Sequence, residues 1–280
     1  MRISLSTATF YHRSVTYSLR VARAAGCDGI ELVLGLGYTL RGLDAIERAV
    51  ASQAVPVLSV HPPLRRLPGW PRAVSERLCR LSEVSRHLGA AVCVLHPGLY
   101  MDAHGPRARH YAATLAQAQR DAGPVPRFAL ENNQTTGHRR AWVLDDLPAL
   151  VRFAREGGYG LTLDTCHLGA NKEDLLAAYE LARPLLCNIH LSDMRWRGDT
   201  PQTHLVPGEG TLPLAALLGR LAEDDYGGLV TLELHPREAG LFGHVHAERR
   251  VAAAVAYVRT AIGASSGASS GAPSRPPASV

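Results

Sequence analysis

The 280-residue chain is 46% hydrophobic and 20% charged, the balance of a folded globular protein and not that of a disordered or fibrous one. Its formal net charge of +5 is no signature of nucleic-acid binding, because much of the arginine (Arg20, Arg23, Arg48, Arg77, Arg80) falls on helix-like stretches whose outer faces it would solvate. No signal-peptide pattern opens the chain and no apolar run approaches the roughly 20 residues of a bilayer span, so a cytoplasmic protein without a membrane partner is expected. Strand-like and helix-like patterns then alternate from end to end. Strands are expected near 2–8, 28–34, 56–61, 91–96, 127–132, 159–164, 185–191 and 229–235, and helices near 14–25, 42–53, 73–88, 106–122, 144–156, 172–183, 212–223 and 245–262. Glycines such as Gly26, Gly89 and Gly123 follow the helices, where a C-terminal cap favours them. Eight strands, each followed by a helix, is the count of an α/β protein built as a single (β/α)8 TIM barrel over residues 1–262. A doubly wound sheet is the alternative. The Gly/Ala/Ser/Pro tail over 263–280 cannot bury apolar area and is expected to be disordered.

One grammar recurs at the strand ends. Val57–Val60 leads to His61, Val92–Leu95 to His96, Phe128–Leu130 to Glu131, Leu161–Leu163 to Asp164, Cys187–Ile189 to His190 and Thr231–Leu232 to Glu233. In each run the residue before the polar one is aliphatic, and alternation along a strand sends the two to opposite faces. Barrel active sites lie at the C-terminal strand ends, which is where these six residues fall. Glu131, Asp164, His190 and Glu233 come from the last four strands. Three carboxylates in one cavity repel unless protons or a cation intervene, and mixed carboxylate and imidazole ligands suit Zn²⁺, Mn²⁺ or Co²⁺. Polar residues lining a wet barrel mouth without metal are the competing reading.

His61 and His96 extend the ring and either complete a second site bridged by Glu131 or contact substrate. His167, on the loop after Asp164, and His204 either form a third site or bind substrate. His204 opens a loop, His204–Gly210, whose glycines could present N–H groups to an anion or simply make a turn. Arg195 follows His190 closely and either neutralises a phosphate or oxyanion or is simply a surface arginine, and His235, in phase with Glu233, is placed to touch a ligand. Glu31 on strand two reads as a core ion-pair residue, with the cavity as the alternative. The five cysteines form no CxxC pair and read as buried free thiols. The chain carries no P-loop, GxGxxG or GxSxG motif.

On these strand-end motifs, together with Asp164-Thr165-Cys166-His167, His190-Leu191-Ser192-Asp193 and Gly208-Glu209-Gly210, the chain resembles the xylose-isomerase-like TIM-barrel superfamily. That group holds sugar and sugar-phosphate isomerases and epimerases and also endonuclease IV. The epimerase resemblance implies one divalent metal on Glu131, Asp164, His190 and Glu233. In it, Glu131 and Glu233 act as the acid-base pair, and His167 and an arginine near Arg195 help to hold substrate. The endonuclease IV resemblance implies a trinuclear zinc site on His61, His96, Glu131, Asp164, His167, His190, His204 and Glu233. It departs at Gln202, where that family has an aspartate. The expectation is therefore a metal-dependent isomerase or epimerase of a small sugar or sugar phosphate, with one to three ions of Zn²⁺ or Mn²⁺ (Co²⁺ also fitting), as a monomer or a homo-oligomer. A zinc phosphodiesterase acting on nucleic acid is the alternative, and a non-catalytic binding barrel a third.

Overall fold

A computed structural model of the chain describes residues 1–65, 67–135, 142–240 and 243–268. Its elements in chain order are β1 (Arg2–Ser6), α1 (Val15–Ala24), β2 (Gly29–Val33), α2 (Leu36–Gln53), β3 (Val57–His61), α3 (Val74–His87), β4 (Val92–Leu95), α4 (Pro106–Ala122) and β5 (Arg127–Glu131). They continue with α5 (Leu147–Gly157), β6 (Gly160–Asp164), α6 (Thr165–Ala170), α7 (Leu175–Ala182), β7 (Leu186–Leu191), β8 (Asp193–Arg197), β9 (Thr200–Leu205), α8 (Leu214–Glu223), β10 (Leu229–Leu232) and α9 (His244–Ala268). The strands β1-β10-β7-β6-β5-β4-β3-β2 close into a barrel, every pair of which is parallel. No helix among the described residues is long and apolar enough to cross a membrane.

Alternation divides the side chains between two environments. Val60, Leu95, Leu130, Leu163, Ile189 and Leu232, the aliphatic residues preceding each strand-end polar group, all join the main core cluster with the helices. A separate cluster of Leu58, Val92, Val94, Ala129 and Leu229 packs within the barrel. Alternation slips at two register shifts, opposite Ile30/Glu31 and Leu161/Thr162. There the residues passed over, Leu58 and Cys187, pack with that inner cluster, as the extra residue of a bulge can.

Polar residues also meet inside the barrel. Ser4 and Thr231 share a hydroxyl hydrogen bond of 2.6 Å, Thr231 Oγ1 donates to Asn188 Oδ1 at 2.8 Å, and Asn188 Nδ2 donates to Glu31 Oε2 at 3.3 Å. This connected network lies beneath the strand ends.

Several boundaries differ from expectation. The helix α2 begins before residue 42, because Gly42 takes a non-helical conformation (φ 72°, ψ −177°) that joins two helical pieces at a kink. An antiparallel hairpin, β8–β9, occupies a stretch between the seventh expected strand and the seventh expected helix for which the sequence predicts no element. The last helix runs through Ala268, past the boundary at 262, since elongating an existing helix requires no new nucleus. The remainder of the expected disordered tail, from residue 269, lies outside the described residues.

Candidate active site

Four elements deliver the central group. Glu131, Asp164 and His190 lie on β5, β6 and β7, and Glu233 follows the last residue of β10. One ligand-type atom from each of the four lies within 4.8 Å of every other. His190 stands in the middle. Its Nδ1 is 2.9 Å from Glu233 Oε2, 3.3 Å from Glu131 Oε1 and 3.9 Å from Asp164 Oδ2.

The other face of that imidazole is held by Glu31, whose Oε2 lies 3.1 Å from His190 Nε2. Glu31 is fully buried, and the same oxygen accepts the Ser59 hydroxyl at 2.9 Å. Glu31 thus takes up Nε2, and Nδ1 is the ring nitrogen turned to the other three carboxylates. This is the outer-shell arrangement that orients metal-binding histidines. Glu31 was legible as a buried acid of strand two, but its partner was not, because β2 and β7 meet only across the closed barrel.

A second group shares Glu131. Ligand-type atoms of His61, His96 and Glu131 also lie within 4.8 Å of one another, with Glu131 Oε2 3.5 Å from His61 Nε2 and 3.9 Å from His96 Nδ1. His61 Nδ1 donates to the Pro62 carbonyl at 2.6 Å, which turns Nε2 toward Glu131. His61 is buried, whereas the His96 side chain is 44% exposed.

The remaining candidates sit elsewhere. His167 is not on a loop: Asp164 N-caps α6 by accepting the His167 N–H at 2.9 Å, and His167 lies in the first turns of that helix. Its Nδ1 approaches Glu131 Oε1 and Asp164 Oδ2 at 3.6 and 3.7 Å but donates to the Asn132 carbonyl at 2.8 Å. His204 lies on β9 at φ 56°, and its ring meets that of His167 edge-on at 6.0 Å. Neither histidine belongs to the two ligand groups found among the described residues. Gln202 Oε1 accepts from Arg195 Nε at 3.0 Å, so both side chains are engaged with each other on the exposed hairpin. His235 is exposed, and its Nδ1 accepts from the Arg237 N–H. Arg195 and His235 thus stand apart from the central cluster.

Electrostatics define the cluster's charge. Burial opposes protonation of His190, yet Glu31, Glu131 and Glu233 hold its pKa well above the histidine range. Burial likewise opposes ionisation of Glu131, but His190 and His96 hold it well below the carboxylate range. Glu233 is lowered to about 2 against burial, chiefly by His190. Cys166, buried behind the site, is pushed well above its usual value by burial and by Asp164, so it stays a neutral thiol. Three carboxylate oxygens, Glu31 Oε1, Glu131 Oε2 and Asp164 Oδ2, are buried without a hydrogen-bond partner. Such orphans are costly. The last two belong to the ligand groups, so a cation bound there would satisfy them.

A closed parallel barrel with acids and imidazoles at its C-terminal strand ends defines a class, and comparison defines the family. The chain belongs to the xylose isomerase-like TIM barrel family, whose model matches residues 19–261. An uncharacterized protein of Mycobacterium leprae is 28% identical over 84% of this chain and 89% of its own length. A probable endonuclease 4 of the same organism is 27% identical over 64% of this chain and 73% of its own. Among solved structures, a D-tagatose 3-epimerase-like protein superposes with a TM-score of 0.73 at 18% identity, covering 96% of this chain and all of the other, a likeness of fold.

Proposed function

We propose that this chain is a divalent-metal-dependent isomerase or epimerase of a sugar or sugar phosphate, working by proton transfer at a carbon beside a carbonyl. The observation that carries the reading is the group Glu131, Asp164, His190 and Glu233, with the His190 Nδ1 between two ionised glutamates. The donor set fits a cation. It combines three carboxylates, one oriented imidazole and two orphaned buried oxygens, which suits Zn²⁺, Mn²⁺ or Co²⁺ better than Mg²⁺. When bound, such an ion supplies Lewis-acid stabilisation of charge developing on a carbonyl oxygen.

The chain's own residues do the rest. Glu131 and Glu233 are both carboxylates at neutral pH, the state a general base needs. A substrate carbon seated between them loses its proton to one glutamate, and the other, after taking a proton from solvent, delivers it to the opposite face and inverts that carbon. Returning the proton to the neighbouring carbon isomerises the substrate. Glu31 holds the His190 ring through Nε2. The epimerase-like structural neighbour supports this reading, and a small-molecule substrate in a cytoplasmic setting is its natural context.

The test is exchange of solvent deuterium into a panel of ketoses and sugar phosphates by metal-loaded protein. Exchange is expected with some member of the panel, and E131Q and E233Q should each lower it by about 10²–10⁴-fold. Unchanged exchange and metal content in both variants would refute the assignment.

A second reading has its own observation, the His61–His96–Glu131 group, and is supported by the probable endonuclease 4 relative. In it, two or more zinc ions serve hydrolysis of a phosphodiester. Gln202, a neutral amide turned to Arg195, weakens the case for a third ion. Incubating zinc-replete protein with abasic-site duplex DNA separates the readings: nicking favours the hydrolase and its absence the isomerase.

A further inference from the structure

Beside the strand-end site lies a cleft of about 650 Å³ formed by the segments that follow β1, β2 and β3. It begins close to the ligand groups. Pro63, which lines it, is two residues beyond His61, and Val33, which also lines it, pairs with His61 in the sheet register. The volume falls within the roughly 300–1,000 Å³ of small-molecule sites.

Its walls are unusually apolar for an open surface. Tyr11, Leu36, Leu40 and Leu64 line it while 67%, 52%, 72% and 51% exposed. Below them, Phe10 and Ile46 are buried. The kink at Gly42 leaves side chains from both pieces of α2, such as Leu40 and Ile46, on the same cleft. Converging exposed apolar side chains mark a binding surface.

The charge is one-sided. Arg41, Arg65 and Arg13 line the cleft, and among the described residues no aspartate or glutamate does. Arg13 stacks over the Tyr17 ring at 5.4 Å, which leaves Arg41 and Arg65 as the cations best placed to meet a ligand. Apolar walls select an apolar body, and a cationic rim without acids selects an anion.

We propose that this cleft binds an organic anion with an apolar body, such as an aryl or alkyl carboxylate or phosphate ester. On the strand-end reading above, on which this extension rests, that group is the part of the substrate remote from the reacting carbon.

The experiment uses 8-anilinonaphthalene-1-sulfonate, an anionic aromatic probe, titrated by fluorescence into the full chain, with circular dichroism to establish that each variant is folded. Saturable binding is expected. The double variant Arg41→Gln/Arg65→Gln should weaken it by about fivefold, since each exposed charge pair contributes little alone. Leu40→Asp, at an exposed position that tolerates polarity, should weaken it further. The neutral analogue N-phenyl-1-naphthylamine should be indifferent to the arginine changes. Glu233→Gln should bind the probe like the unmodified chain, so failure of the cleft and failure of the strand-end assignment are read separately. Absence of saturable binding, or binding indifferent to all the cleft variants, would overturn the proposal. So would exclusion of the probe by self-association, seen as binding that falls with protein concentration.

Discussion

His190 is the residue on which the site turns, because its two nitrogens face opposite environments. Nε2 is fixed by Glu31 at 3.1 Å, and Nδ1 is offered to Glu131, Asp164 and Glu233. Replacing Glu31 by glutamine keeps the shape but exchanges a carboxylate for an amide as the partner that orients the ring through Nε2. Losing such an outer-shell partner typically costs 10–100-fold in metal affinity, so Glu31→Gln should weaken Zn²⁺ or Mn²⁺ binding by about that factor. A competition titration against a chromophoric chelator measures it, and unchanged affinity in a folded variant would remove Glu31 from the site. The strand-end residues themselves could be read from sequence, since the aliphatic residue before each one fixes which face it takes. What Glu31 would bond could not, because that contact depends on the closed register of strands distant in sequence.

At the scale of elements, close packing sets sharp limits. A Cβ on Gly29 of β2 would stand 2.5 Å from Leu58 Cγ and 2.7 Å from the Pro56 carbonyl oxygen. Leu58 is the residue passed over in the β2–β3 register and packs inward, so it has little room to yield. Gly29→Ala should therefore destabilise the barrel by about 1–3 kcal/mol, read as a lower urea midpoint with unchanged slope.

Between helices, Asp224 at the end of α8 accepts the Tyr179 hydroxyl at 2.8 Å and Arg183 Nη1 at 2.9 Å. The Arg183 guanidinium, then Tyr179, hold its pKa below the usual aspartate value. A depressed carboxylate stabilises the fold above its unfolded pKa of about 3.9 and loses that contribution as pH falls through the folded value. Asp224→Asn should thus lower Tm at pH 7, with the difference from the unmodified chain vanishing under strong acid. A constant difference across that range would contradict the assignment.

Element existence was mostly legible from hydrophobic period and glycine punctuation. The β8–β9 hairpin was not, since its strands carry Arg195, Trp196, Arg197 and Gln202 rather than an alternating apolar face. Its one local signal is Gly198-Asp199 at the turn, where Gly198 has φ 58°. The α6 helix was signalled by Asp164 as a potential N-cap, a role that a reading of Asp164 as a ligand hides. Asp164 is placed for both: Oδ1 caps the helix, and Oδ2 is left without a partner.

At the scale of the whole molecule, the barrel brings together residues that no local segment could. Glu131 and Glu233 are separated in the chain by every element from α5 to β10, yet both reach His190 Nδ1. Closure gathers three carboxylates, those of Glu131 and Asp164 buried and that of Glu233 partly so, around one imidazole, and the unpartnered oxygens of Glu131 and Asp164 are what a cation would satisfy. The central claim is that these strand ends hold a divalent metal, so the most direct measurement is metal content by mass spectrometry. It would be made on protein purified without chelator, beside Asp164→Asn, whose Oδ1 can keep the α6 cap. The account predicts stoichiometric zinc, manganese or cobalt in the unmodified chain and its loss from the variant. No bound divalent ion in the unmodified chain, even after reconstitution, would contradict it.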